Sequence, residues 1–149
     1  VNLIGFVIYY VYPAAPPWYV QHYGFTFIPG TPGNTAGLAR FDNFFGIKLF
    51  HGIYSKSSNV FAAMPSLHSA YPVTVLLYGL KNKLGRVNMF FALIMLGIWF
   101  AAVYSFHHYV LDVILGIACA LVGFDLFQWA MQKEGKAFRA VENIIRALR

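Results

Sequence analysis

Apolar residues in this chain come in long blocks separated by short polar breaks, the pattern of membrane-crossing helices rather than of an alternating strand or a one-sided helix. Residues 65–80 hold few polar positions and stop at Lys81 and Lys83. Residues 87–105 are almost wholly apolar, and residues 109–131 are apolar apart from Asp112, Asp125 and Gln128. A bilayer-crossing helix needs roughly 20 such residues, and each block is read as one crossing. The breaks are tight: Lys81-Asn82-Lys83-Leu84-Gly85-Arg86 between the first two, little more than His107 and His108 between the last two. Helical hairpins are therefore expected. An earlier block, residues 1–11, is too short to cross and lacks the charged start and small-residue cleavage site of a signal peptide; it is read as a truncated spanning helix, with N-terminal helices missing. The expected architecture is all-α, a polytopic transmembrane helix bundle in a single membrane domain over residues 1–149: 1–11 the truncated helix, 12–64 an outer segment, 65–131 three spanning helices, 132–149 a tail helix.

Charge sets the expected orientation, because short cytoplasmic loops retain Lys and Arg. Lys81, Lys83 and Arg86 fill one turn, and Lys133, Lys136, Arg139, Arg146 and Arg149 follow the last block. With alternating crossings both lie on one side, the cytoplasm. The segment 12–64, the start of the next block and the His107-His108 corner then face the lumen or periplasm. Within that outer segment Pro13, Pro16, Pro17, Pro29 and Pro32 impose turns and extended stretches, and Tyr12, Trp18, Tyr19 and Tyr23 read as interfacial aromatics. Residues 41–54 read as one amphipathic interfacial helix with Arg40, Asp42 and Lys48 as its polar members. In the tail, Phe138, Val141, Ile144, Ile145 and Leu148 recur at helical spacing, as in a cytoplasmic surface helix.

Composition agrees: 59% of residues are hydrophobic and 11% charged, where a soluble domain carries about a quarter charged residues. The net charge of +6 does not point to nucleic acid, because the basic residues are scattered between apolar blocks instead of forming one stripe. Cys119 stands alone in an apolar run, which excludes an internal disulfide and a cysteine metal site; it reads as a small buried residue.

Ionisable residues inside or at the ends of spanning helices are expensive and need a reason. His108 and Asp112 are four positions apart, which on a helix puts them on one face within hydrogen-bond reach. A carboxylate there fixes the imidazole tautomer and stabilises its cation, the arrangement of a nucleophile or base with its orienter. His68 follows Pro65 and Ser66 at a helix start, where free N–H groups and the helix dipole favour an anion such as phosphate. The charge argument independently puts both clusters on the same outer side. His107, about 100° around the helix from His108, reads as an interface anchor or a donor to a neighbouring group. His22 and His51 read as structural. No set of three or four metal ligands at recognisable spacing is present, and neither metal nor cofactor is expected.

The ordered pair Pro65-Ser66-Leu67-His68 and His108-x-x-x-Asp112 resembles the second and third motifs of the type 2 phosphatidic acid phosphatase and haloperoxidase superfamily. Tyr12-Pro13-Ala14-Ala15-Pro16-Pro17-Trp18-Tyr19, Gly30-Thr31-Pro32-Gly33, Gly37-Leu38-Ala39-Arg40, Phe61-Ala62-Ala63-Met64-Pro65-Ser66-Leu67-His68-Ser69 and His107-His108-Tyr109 narrow it. Together these are similar to the inositol phosphorylceramide synthases, the aureobasidin-sensitive type in fungi, over about residues 10–125. The resemblance implies a type 2 phosphatidic acid phosphatase-like core and a metal-independent ping-pong transfer in sphingolipid metabolism. Phosphatidylinositol gives its inositol phosphate to a lipid alcohol such as ceramide and diacylglycerol leaves. Carried onto this chain, His108 attacks phosphorus, Asp112 holds it, and His68 protonates the leaving alkoxide and later deprotonates the acceptor.

Two departures stand out. The superfamily's third motif begins Ser-Arg, where this chain has Ala101-Ala102, and no Lys-x6-Arg-Pro first motif is present. The phosphate charge is then expected to meet Arg40, Lys48 and the helix start at Ser66, with Lys56 a further candidate. The alternatives are a lipid phosphatase of the same superfamily, with water as acceptor; a metal-dependent headgroup transferase, for which the clustered aspartates are lacking; and a non-catalytic membrane scaffold, which leaves two histidine clusters unexplained. The expected partners are a phosphatidylinositol-like donor, a lipid alcohol and the membrane, not nucleic acid. Donor, acceptor and oligomeric state are not legible from the residues alone.

Overall fold

A computed structural model describes residues 1–56 and 59–147, with side chains through Lys133. Among the described residues seven α-helices follow one another: α1 (Asn2–Val11), α2 (Pro17–Tyr23), α3 (Ala39–Phe45), α4 (Leu49–Tyr54), α5 (Leu67–Lys81), α6 (Val87–Tyr104) and α7 (Val110–Ala147). Among the described residues the only β-pairing is one parallel bridge between Ala14 and Ala62. By length and composition α6 and the Val110–Lys133 part of α7 can cross a membrane. None of the α6 span is buried, and an apolar surface of that extent is stable against lipid rather than water. The chain is membrane-associated. Helix α5 is shorter, 15 residues, with Pro72 inside it.

Helix α5 is the hub, packed on both α6 and α7 while α1 leans on α7. Its buried face, Leu67, Ala70 and Val73, meets Ala120 of α7, and Trp99 and Met95 of α6 close the other side. Trp99 donates its indole N–H to the Ser69 carbonyl at 3.2 Å. The approach of α7 depends on Gly116, because any Cβ there would overlap the Ser66 carbonyl. A glycine at that point lets the first two turns of α7 sit directly over the start of α5.

Three expectations are revised. Residues 41–54 are two short helices: Gly46 adopts a left-handed conformation (φ 65°) that ends α3, and the Asp42 carboxylate accepts the N–H groups of Phe50 and His51 (3.1 and 2.9 Å), opening α4. Asp42 is accordingly buried, 6% exposed, rather than a polar surface residue. Trp18 and Tyr19, expected at the membrane interface, are 4% and 1% exposed. Tyr19 donates its hydroxyl to the Thr26 carbonyl and accepts the Ile28 N–H, and the Trp18 N–H bonds the Phe106 carbonyl. The tail is no separate helix, since α7 runs unbroken to Ala147; no proline interrupts it. Its side chains beyond Lys133, including the apolar stripe expected there, lie outside the described residues.

The segment before α5 folds back over the α6–α7 corner. The Gly37 N–H bonds the Ser105 carbonyl at 3.0 Å, so closely that a Cβ on Gly37 would lie 2.8 Å from the Ser105 Cα. Ala14 pairs with Phe61 and Ala63, tying the chain before α2 to the chain before α5. The result is a roofed space between the ends of α5, α6 and α7.

Candidate active site

Helix α7 opens with a side-chain cap. The carboxylate of Asp112, in its first turn, accepts the Tyr109 N–H at 2.8 Å, the acidic half of a capping box. The Asp112 carbonyl accepts the Ser66 N–H at 2.9 Å, joining that turn to the start of α5. Ser66 caps α5, its hydroxyl receiving the N–H and hydroxyl of Ser69. Because α7 begins at Val110, His107 and His108 precede the helix instead of lying on it, and the expected 100° offset does not separate them. Both rings line one cavity.

That cavity measures about 540 Å³, within the range of small-molecule sites. His68, at the first turn of α5, looks across it to His108, ring centroids 5.8 Å apart. The His108 Nδ1 lies 3.5 Å from the Asp112 carboxylate and is buried with no hydrogen-bond partner. This is ion-pair distance, longer than a good hydrogen bond. The direct bond expected from the spacing is not formed here, and the carboxylate oxygen nearest Nδ1 is the one that accepts the Tyr109 N–H. Such contacts in ligand-free sites commonly close only with substrate. Together the three residues offer a buried imidazole with an adjacent anion and, across a gap, a second imidazole able to move a proton.

The remaining candidates are placed differently. Arg40 is exposed, its guanidinium 3.3 Å from the Tyr104 hydroxyl and over that ring. Lys48 is exposed at the start of α4, and neither it, Arg40 nor Lys56 lines the cavity. Ser66 is fully buried, with hydroxyl and amide both engaged. His22 and His51 are exposed and do not line the cavity. Among the described residues lining it there is no lysine, arginine, aspartate or glutamate.

Sequence reasoning passed over the roof of the cavity. His107 Nδ1 lies 2.9 Å from the Ser105 hydroxyl and Nε2 3.2 Å from the Asn34 carbonyl. A carbonyl only accepts, so Nε2 carries the proton and Nδ1 accepts from Ser105. Burial pushes the His107 pKa down to about 4, keeping it neutral. Tyr54 packs on its ring at 4.4 Å, and burial raises the phenol's pKa. The Gly30-Thr31-Pro32-Gly33 turn leading into Asn34 marked this stretch; which group it would clamp was not in the local pattern.

A family model described as the PAP2 superfamily matches residues 1–126. The chain belongs to the PAP2 superfamily. This PAP2 chain is 54% identical over 134 residues to the phosphoinositol dihydroceramide synthase of Bacteroides thetaiotaomicron, covering 89% of the chain and 44% of that protein. It is 33% identical over 132 residues to the catalytic subunit of the inositol phosphorylceramide synthase of Saccharomyces cerevisiae, covering 86% of the chain and 31% of the relative. A third relative, the corresponding catalytic subunit of Schizosaccharomyces pombe, is 34% identical over 131 residues, 85% of the chain and 30% of the relative. The chain thus spans less than half the length of the curated relatives it matches. No solved structure matches. The all-α bundle fits a PAP2-like core, in keeping with the motif resemblance.

Proposed function

We propose that the protein is a lipid phosphotransferase that moves inositol phosphate from a phosphatidylinositol-like donor to a lipid alcohol such as ceramide. The observation that carries this reading is the facing of His68 and His108 at 5.8 Å across one cavity, with Asp112 behind the second ring. The names of the relatives support the headgroup and the acceptor class.

In the first half-reaction His108 Nε2 attacks phosphorus, an N–P bond forms, and the bond from phosphorus to the diacylglycerol oxygen breaks. His68, as imidazolium, gives that oxygen its proton. Neutral again, His68 then takes the proton of the acceptor hydroxyl, whose oxygen attacks phosphorus and breaks the N–P bond. Asp112 holds Nδ1–H of His108 and stabilises the cation on the phosphorylated ring. The balance closes without a metal or cofactor, and the barrier falls through positioning and charge stabilisation. The basic turn Lys81 to Arg86 supports placing the site on the lumenal or periplasmic side. Arg40 and Lys48 are proposed to meet donor phosphate from outside the cavity mouth.

The test is full-length protein in liposomes with headgroup-labelled phosphatidylinositol and ceramide. Labelled phosphosphingolipid, formed equally in EDTA, is the expected result. Water-soluble label alone would favour the phosphatase alternative, and no label transfer at all would leave only a scaffold.

A further inference from the structure

Beyond the two facing histidines, the polar groups lining the cavity are neutral, and they divide by what already holds them. Ser105 and His107 bond each other, and Tyr9 donates its hydroxyl to the Pro65 carbonyl at 2.7 Å. Asn34 and Asn59 use their side-chain oxygens locally, accepting the N–H groups of Ala36 (2.7 Å) and Phe61 (3.1 Å). Those bonds fix the two carboxamides in orientation and leave their NH₂ groups with no protein partner among the described residues. The Tyr54 hydroxyl likewise has none, while its ring is seated on His107. All three residues come from the segment before α5 that roofs the cavity, unlike Tyr71 of α5, whose hydroxyl also lines the cavity without a protein partner among the described residues.

We propose that Asn34, Tyr54 and Asn59 form the headgroup subsite, selecting an uncharged polyhydroxylated ring attached to the phosphate. This deepens the proposed function and rests on it. Fixed amide NH₂ groups and a phenol donate to ring hydroxyls and phosphate oxygens alike, and the phenol also accepts. A cationic amine headgroup finds no carboxylate among the described lining residues, and a headgroup with additional phosphates finds no lysine or arginine. A polyol needs neither. Each of its hydroxyls needs only a neutral partner in place of the water it leaves.

The experiment uses full-length protein in liposomes of fixed ceramide content, varying phosphatidylinositol and, separately, phosphatidylcholine as donor. The variants keep the local fold: Tyr54→Phe keeps the ring on His107, while Asn34→Ser and Asn59→Ser keep an oxygen able to accept the N–H two residues on. Wild type is expected to use phosphatidylinositol and not phosphatidylcholine. Each variant should raise KM for phosphatidylinositol roughly three- to tenfold with a much smaller change in kcat, the loss of one neutral hydrogen bond. A fall in kcat alone, or wild-type KM in all three variants beside an active wild type, overturns the subsite while leaving the transferase reading intact. A wild type inactive on phosphatidylinositol overturns both.

Discussion

His107 and His108 are neighbours that line the same cavity in opposite states. His107 has both ring nitrogens engaged, to Ser105 and Asn34, and Tyr54 against its face. His108 has a buried Nδ1 with no hydrogen bond and a carboxylate at 3.5 Å. A histidine satisfied on both sides is a fixed strut with a fixed tautomer. An incompletely satisfied one beside an anion gains most when it becomes charged, as a nucleophile does when it takes a phosphoryl group. The contrast also separates the two regions that supply the partners. Ser105 at the end of α6 and the segment before α5 hold His107 still, and the α5–α7 junction places His108 beside Asp112.

The sharpest way to break this contrast is to remove each ring in turn. His108→Ala is expected to lower transfer by about 10⁴-fold or more, because the group proposed to accept phosphorus is gone. With labelled donor and no acceptor, alkali-stable label on the protein should vanish as well. Label persisting in that variant would move the nucleophile elsewhere. Asp112→Asn comes next, at about 10³- to 10⁴-fold in kcat, by removing the charge that orients and stabilises the ring. Its carboxamide oxygen can still accept the Tyr109 N–H, so the helix cap survives and a thermal melt in detergent should stay close to wild type. Near-normal turnover would show that Asp112 acts as a cap only.

The two histidines differ in how far the sequence reveals them. That His68, His108 and Asp112 come together was legible because spacing and the cost of burial act locally, and the positive-charge pattern gave both clusters the same expected side. The three long helical blocks were readable for the same reason, each being a continuous apolar run. The role of His107 was not, because its partners Asn34 and Tyr54 lie far away in sequence, and nothing local says that residues 30–37 fold back onto Ser105. Asp42 escaped for a subtler reason: its carboxylate caps the helix after its own, across the Gly46 break, so a continuous helical spacing over 41–54 concealed it. Likewise the helix start at Val110, set by the Asp112 cap, falls after the histidines that spacing alone had placed on the helix.

The strut side of the contrast can be tested by acid. With its pKa held near 4 against an unfolded value near 6.5, His107 binds fewer protons folded than unfolded between those limits. Stability is therefore full above about pH 6.5 and falls as pH drops toward 4, by about 3 kcal/mol at most from this group. His107→Gln is expected to flatten that part of the pH–Tm curve measured in detergent, even if it lowers Tm at neutral pH by losing packing on Tyr54. An unchanged slope would mean that His107 charges freely and is no strut.

The smallest effect is expected from the cations outside the cavity. Arg40 reaches Tyr104 and is exposed, so its charge acts on a phosphate in the cavity only through solvent or lipid headgroups, where an ion pair contributes about 1 kcal/mol or less. Arg40→Ala should therefore lower kcat/KM less than about tenfold, and the loss should shrink as salt rises, because exposed charges are screened. Lys48→Ala should do less still, its ammonium being the more strongly hydrated point charge, without Arg40's planar fork for paired phosphate oxygens. The two histidines would then carry most of the phosphate charge themselves, one as the imidazolium that protonates and one as the cation Asp112 stabilises. A salt-independent loss of 10²-fold or more in Arg40→Ala would mean that donor lipid draws the guanidinium down from Tyr104 to the phosphate, and that the segment before α5 carries a reacting-side group as well as the partners of the strut.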